Sequence, residues 1–248
     1  MKNGLLKEGL VLLREHGASS TIFNSDPSFI INALERYIAE IELFNPAYKL
    51  VGTNDRKELI VKHILDSLSG LGVINRFAAV YAGTDVKIAD AGSGAGLPGI
   101  PLAISLPSYH FTLLERMGRR AGFLNNTCAV LGIPNVTVEE KEIEKAAPNR
   151  FNIITFRAFK PLDNGAIKSL FRLLTPDGIL IAYKGKKDTV EREFALLKAT
   201  LHLPPSTKDD AAAHWEIIRV SVPFLKEERH IAVIPRVYKK SGIEQMAD

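Results

Sequence analysis

Three features of the sequence predict an α/β fold, a mainly parallel sheet covered by helices on both faces. Short apolar runs alternate with helix-length segments from residue 85 onward. The first of those runs ends in a glycine-rich turn, Asp90-Ala-Gly-Ser-Gly-Ala-Gly96. The last two runs lie too close together for a crossover helix. Strands separated by helices become parallel neighbours, whereas strands joined by a few residues pair antiparallel.

Residues 1–80 contain no clear strand pattern and read as a helical N-terminal subdomain. Leu5, Leu6, Leu10, Val11 and Leu13 predict an amphipathic helix ending at Gly17. A second is expected from about Pro27 to Phe44, capped by Ser25 or Asp26. A third, opened by Thr53-Asn-Asp-Arg, runs from Lys57 to Leu71 with Leu59, Ile60, Ile64, Leu65 and Leu68 on one face. The α/β domain is placed at 81–240. Its expected elements are strand 86–90, helix 98–106, strand 110–115, helix 117–131, strand 135–139, strand 151–156, helix 162–174, strand 178–183 and helix 188–200. Trp215–Val222 and Arg229–Val237, joined by Pro223-Phe-Leu-Lys-Glu-Glu, are expected to form a hairpin. Residues 241–248 read as a frayed tail.

The glycine turn is the ligand-binding corner of such a sheet. Gly92, Gly94 and Gly96 accept backbone angles closed to other residues and leave room for a ligand. Gly94, Gly96 and Gly99 also satisfy G-x-G-x-x-G, so the pattern alone says only that the ligand resembles a nucleotide. Asp90 precedes the glycines and Glu115 closes the next apolar run. A carboxylate at that second position suits the two hydroxyls of a ribose, in dehydrogenases and S-adenosylmethionine enzymes alike. A dehydrogenase would continue into a separate substrate domain. Five β-α steps ending in an antiparallel hairpin look instead like the class I S-adenosylmethionine-dependent methyltransferase fold, a Rossmann-like sheet.

Composition narrows the remaining classes. The 248 residues are 46% hydrophobic and 24% charged, ordinary for a globular chain. No apolar run approaches the ~20 residues that cross a bilayer. Lys7, Glu8, Arg14 and Glu15 interrupt the N-terminal apolar patch, so no signal peptide is expected and the chain reads as cytoplasmic. One cysteine, Cys128, excludes an internal disulfide and a zinc knuckle, and it reads as an inert thiol. The net charge of +4 and the pI near 9.1 permit an anionic partner. Basic clusters stand at Arg116/Arg119/Arg120, Lys184/Lys186/Lys187 and Arg236/Lys239/Lys240.

Seven collinear motifs carry a family resemblance. They are Phe44-Asn-Pro-Ala-Tyr-Lys-Leu50, Lys62-His-Ile-Leu-Asp-Ser67, Gly92-Ser-Gly-Ala-Gly-Leu-Pro-Gly-Ile-Pro101, Leu113-Leu-Glu-Arg-Met-Gly-Arg-Arg120, Phe156-Arg-Ala-Phe159, Tyr183-Lys-Gly185 and Glu228-Arg-His-Ile-Ala-Val-Ile234. From about residue 30 to 235 the chain resembles the bacterial small-subunit ribosomal RNA methyltransferase G family, also called glucose-inhibited division protein B. The resemblance implies methyl transfer from S-adenosylmethionine to guanine nitrogen-7 in 16S ribosomal RNA, on RNA or on the small subunit. No metal and no membrane are expected, and a monomer is expected although the sequence itself is silent on oligomeric state.

The resemblance implies that Gly92 and Leu97 line the methionine and ribose side and that Glu115 takes the ribose diol; Asp90, Gly94 and Gly96 are expected to bind the cofactor with them. Ile143 and Glu144 would flank the adenine, and Arg157 would face both cofactor and target base. Three departures stand out: Phe44 where the family has Trp, Lys49 where Asn is frequent, and Phe156 for a common Ser. Guanine nitrogen-7 is nucleophilic without losing a proton, so the reaction needs alignment and exclusion of water more than a base. Arg157 is the expected catalytic residue, with a salt bridge to Asp90 or Glu115 as its structural alternative. Arg116, Arg119, Arg120 and Lys184 are the expected RNA contacts, and Phe159 a stacking or core residue. His63 and Asp66 are placed within reach of each other, and Arg229 and His230 in a structural ion pair. The rivals are a class I methyltransferase with another acceptor, a nicotinamide-dependent dehydrogenase, and a non-catalytic RNA-binding assembly factor.

Overall fold

A computed structural model of the chain describes residues 4–15, 27–81, 85–157, 163–200, 215–240 and 243–246. The expected caps at Ser25 or Asp26, the stop at Gly17 and the aromatic Phe159 lie outside them. Seven strands form one sheet: β1 (Lys87–Ala91), β2 (His110–Glu115), β3 (Val136–Glu140), β4 (Phe151–Arg157), β5 (Leu174–Lys184), β6 (Glu216–Val220) and β7 (Arg229–Pro235). Their order is β3-β2-β1-β4-β5-β7-β6. The first five are parallel, and β7 inserts antiparallel between β5 and β6. The hairpin expected at the end of the sheet is therefore present.

The strands alternate between two packed layers, as buried parallel strands covered on both faces must. Ile88, Ile153, Ile179, Ile181, Ile231 and Val233 point into one layer. Ala89, Ala91, Ile154, Phe156, Leu180, Ala182 and Ile234 point into the other. The second layer is covered by α8 (Asn164–Leu173) and α9 (Lys187–Thr200). Asp163 caps α8 by accepting from the Ala166 amide at 2.8 Å, replacing one of the bonds a helix start lacks.

Helices of the N-terminal region cover the first layer. They are α1 (Gly4–Glu15), α2 (Pro27–Tyr48), α3 (Arg56–Leu59), α4 (Asp66–Leu68) and α5 (Leu71–Ala78). They share one continuous apolar core with α6 (Gly99–Ser105), α7 (Gly118–Leu131) and the sheet, from Leu6 to Val233. The single third helix expected over 57–71 is divided. A π-helical stretch, Ile60–Leu65, separates α3 from α4, and α5 follows as a further helix. All five apolar positions expected on its face are buried, so the periodicity located the face but not the wider turn. The tail also differs. Val237–Lys240 (β8) and Ile243–Met246 (β9) pair as a small antiparallel ribbon where fraying was expected.

The N-terminal helices are tied to the sheet by aromatic hydroxyls. Tyr183 on β5 donates to the Ser67 carbonyl at 2.7 Å, and Tyr37 on α2 donates to the Ala95 carbonyl at 2.7 Å. A Cβ added at Gly70 would stand 2.2 Å from the Tyr183 hydroxyl, a separation no side chain tolerates. Gly70→Ala is therefore expected to lower stability by about 1–3 kcal/mol in urea unfolding. Gly122, exposed on α7 with open space around it, is the control: Gly122→Ala should raise stability by about 0.5–1 kcal/mol.

Candidate active site

The chain leaves β1 toward β2 on one side and returns to β4 on the other. Connections diverge at that point and open a crevice at the carboxyl ends of the two strands, the usual ligand site of such sheets. Asp90 and the glycine loop end β1, Glu115 ends β2, and Arg157 ends β4. Residues far apart in sequence thus meet at one place.

The loop after β1 is folded by its own backbone. Gly92 and Ser93 amides donate to the Leu114 carbonyl at 2.9 and 3.1 Å, and Gly96 to Ser93 at 2.7 Å. Gly94 holds φ +58°, with nothing nearer than 3.9 Å to an added Cβ, so its outer side is open. Gly99 has the opposite role. A Cβ there would stand 2.7 Å from the Asp90 carboxylate and 2.4 Å from Leu113, so its bareness lets α6 close on β1. Leu97 is buried in the core beneath the loop.

The two acids of the loop are held differently. Glu115, 4% exposed, accepts from the Gly94 amide on Oε2 and the Met117 amide on Oε1, both at 2.9 Å. Each oxygen keeps a lone pair for a further donor. Asp90, 1% exposed, accepts from the Gly99 amide on Oδ2 at 3.1 Å, and its Oδ1 is buried without a partner. Burial pushes the Asp90 carboxyl up to about 7, against the pull of the Gly99 amide, the Ser93 hydroxyl and the Arg157 charge. A buried orphan acceptor beneath an open glycine turn fits a polar ligand that brings donors.

Arg157 does not bridge to Asp90 or Glu115. It crosses to the π-helical stretch, where Nη1 donates to Asp66 Oδ2 at 3.0 Å and to the Lys62 carbonyl at 3.1 Å. Its Nη2 meets His63 Nδ1 at 2.9 Å. His63 and Asp66, expected to touch each other, are thus joined through Arg157. Arg229 donates from Nε to Asp66 Oδ1 at 2.9 Å, giving the structural ion pair expected of it. Among the described residues His230 forms no such pair and packs its Nδ1 2.7 Å from the Gly185 carbonyl.

The other expected residues divide. Ile143 and Glu144 lie in a 3-10 turn after β3, whose Ile143, Glu144 and Ala146 carbonyls all accept from Nη2 of Arg172, at 3.1, 2.9 and 2.7 Å. Arg172 lies on α8, and no local signal in the sequence connects it with that turn. Arg116 is exposed, Arg119 lies over the Tyr48 ring at 5.6 Å, and Arg120 reaches between the glycine loop and the Lys49 carbonyl. Lys184, expected among the RNA contacts, pairs with Glu193 at 2.7 Å with 17% of its side chain exposed. Phe156 faces away from the crevice into the α8 layer, so its departure from the family pattern lies in the core. Cys128 is half-buried, and burial pushes its thiol up to about 11.

Comparison with known proteins decides among the ligand classes that this geometry admits. Residues 30–208 match the family described as rRNA small subunit methyltransferase G. The chain belongs to that family. The protein of that name from Treponema denticola is 35% identical over 95% of both chains. The one from Treponema pallidum (strain Nichols) is 36% identical over 90% of this chain and 92% of its own. The Xylella fastidiosa (strain M23) protein is 35% identical over 86% and 90%. The fold is accordingly that of a class I S-adenosylmethionine-dependent methyltransferase. Among the described residues no helix is long and apolar enough to cross a membrane.

Two outcomes follow from these contacts. Between its ordinary value of 3.8 and about 7, Asp90 in the folded chain keeps a proton that the unfolded chain has released. Its contribution to stability therefore falls as pH rises through that window, by on the order of 4 kcal/mol at most. In thermal unfolding, the stability of Asp90→Asn relative to wild type should rise from pH 4 to pH 7. Arg172→Ala, which frees three carbonyls of the Ile143 turn, should lower stability by about 1–3 kcal/mol in urea unfolding.

Proposed function

We propose that this chain transfers a methyl group from S-adenosylmethionine to nitrogen-7 of a guanine in 16S ribosomal RNA, in the cytoplasm, acting as a monomer on the RNA or the small subunit. The observation that carries this reading is the meeting of Glu115, Asp90 and Arg157 at the crevice of a methyltransferase G family chain. S-adenosylmethionine supplies an electrophilic methyl on a sulfonium centre. In this reading Glu115, oriented by two amides, receives the ribose hydroxyls. The open side of Gly94 admits the backbone-facing part of the cofactor. Asp90, through its unpartnered oxygen, takes a donor from the amino-acid end. Ile143 and Glu144 border the adenine on the turn that Arg172 gathers.

The reaction asks little of an acid or base, because guanine nitrogen-7 attacks through a lone pair in the plane of the ring. Arg157, whose Nη1 is held by Asp66 and Lys62 and whose Nη2 meets His63, offers its remaining N–H groups to the O6 edge of guanine or to a phosphate. Orientation of this kind accounts for large rate factors when the attack geometry is held. Exposed Arg116, with Arg119 and Arg120 on α7, lies beside the loop and offers positive charge to the RNA backbone.

The test is methyl transfer from labelled S-adenosylmethionine to small subunits that lack the modification. Wild type should place label on guanine nitrogen-7. Arg157→Ala should lose at least 100-fold in kcat, about 2.7 kcal/mol, while binding S-adenosylmethionine within threefold of wild type. Cofactor binding without transfer to subunits or RNA would overturn the assignment of acceptor.

A further inference from the structure

Besides Asp90 and Glu115, Asp66 is the buried acid among the described residues, with 6% of its side chain exposed. A buried carboxylate is costly unless paired, and breaking its pair leaves the remaining charge stranded. Asp66 is paired twice, to residues 91 and 163 positions away in the chain. Arg157 takes Oδ2 and Arg229 takes Oδ1, so one carboxylate joins the end of β4 to the start of β7. The carboxylate cannot swing, because each oxygen is held from a different strand.

The second strut is His63. An arginine only donates, so the His63 Nδ1 facing it must be the unprotonated nitrogen and Nε2 must carry the proton. Burial, followed by the Arg157 charge, pushes the imidazole down to about 4, which keeps it neutral and accepting at working pH.

Resting on the reaction assigned above, we propose that Asp66 is a positioning residue for methyl transfer. It clamps the Arg157 guanidinium with one oxygen, is itself fixed by Arg229 through the other, and so fixes the guanidinium at the carboxyl end of β4. His63 completes the clamp as a neutral acceptor. The device acts on alignment in the transition state, so its loss should appear in kcat and not in cofactor affinity or subunit KM.

The experiment uses the full chain with S-adenosylmethionine and unmodified small subunits. Asp66→Asn is expected to lose 30- to 100-fold in kcat, with subunit KM and S-adenosylmethionine Kd within threefold of wild type. Because that variant removes a doubly paired charge, a His63 pair keeps the test decisive if it fails to fold. His63→Asn retains an acceptor oxygen near the Nδ1 position and should stay within threefold of wild type, whereas His63→Phe should fall at least tenfold. Asp66→Asn, folded and turning over like wild type, would overturn the clamp. So would His63→Asn and His63→Phe losing activity equally, or both staying at wild-type rate. Wild-type protein that binds S-adenosylmethionine but modifies no subunits would instead overturn the reaction itself.

Discussion

The reversal of strand order between β1 and β4 is the constraint on which the rest of the molecule depends. Because the chain leaves β1 in one direction and comes back to β4 in the other, neither crossover covers the carboxyl ends of those two strands. Every candidate group is gathered from that gap: the glycine loop from β1, Glu115 from β2, the Ile143 turn from β3 and Arg157 from β4. The helical layer over the same face then closes the region from the other side. Tyr37 anchors α2 to the loop at the Ala95 carbonyl, and the π-helical stretch brings His63 and Asp66 to Arg157.

Charge is distributed there by scarcity of water. Three buried acids occupy neighbouring positions, and each is satisfied by a different means. Glu115 uses two backbone amides, Asp66 uses two guanidiniums, and Asp90 has one amide and one oxygen left over. The incomplete one is the one whose carboxyl is pushed toward neutrality. Lys184, at the end of β5 and so in a position where ligands are often met, is already committed to Glu193. The positive charge offered toward the loop mouth comes from α7 and from the arginine ending β4.

The departures from the family pattern fall in instructive places. Phe156 alternates away from Thr155 and Arg157 along β4, so its ring fills the layer beneath α8 and leaves the crevice unchanged. Phe44 packs its ring edge-on at 5.6 Å against Phe123 of α7. Lys49 holds φ +53°, a left-handed conformation that suits the more frequent Asn.

The sequence by itself determined the alternation of strands and helices, the terminal hairpin, the glycine turn with its flanking acids, and the buried faces of the helices. These are local: they follow from periodicity of two or 3.6 residues, from loop lengths too short for a crossover, and from glycine's backbone freedom. Tertiary structure alone decided the insertion of β7 between β5 and β6, the π-helical turn, and the pairings that govern the site. Arg157 found Asp66 instead of Asp90, and Arg172 gathered a turn nearly thirty residues away. Lys184 was taken by Glu193. A long cation near several acids carries no local mark of which one it will meet. That choice is made by burial and by which strand ends the fold brings together, and neither exists until the chain has packed.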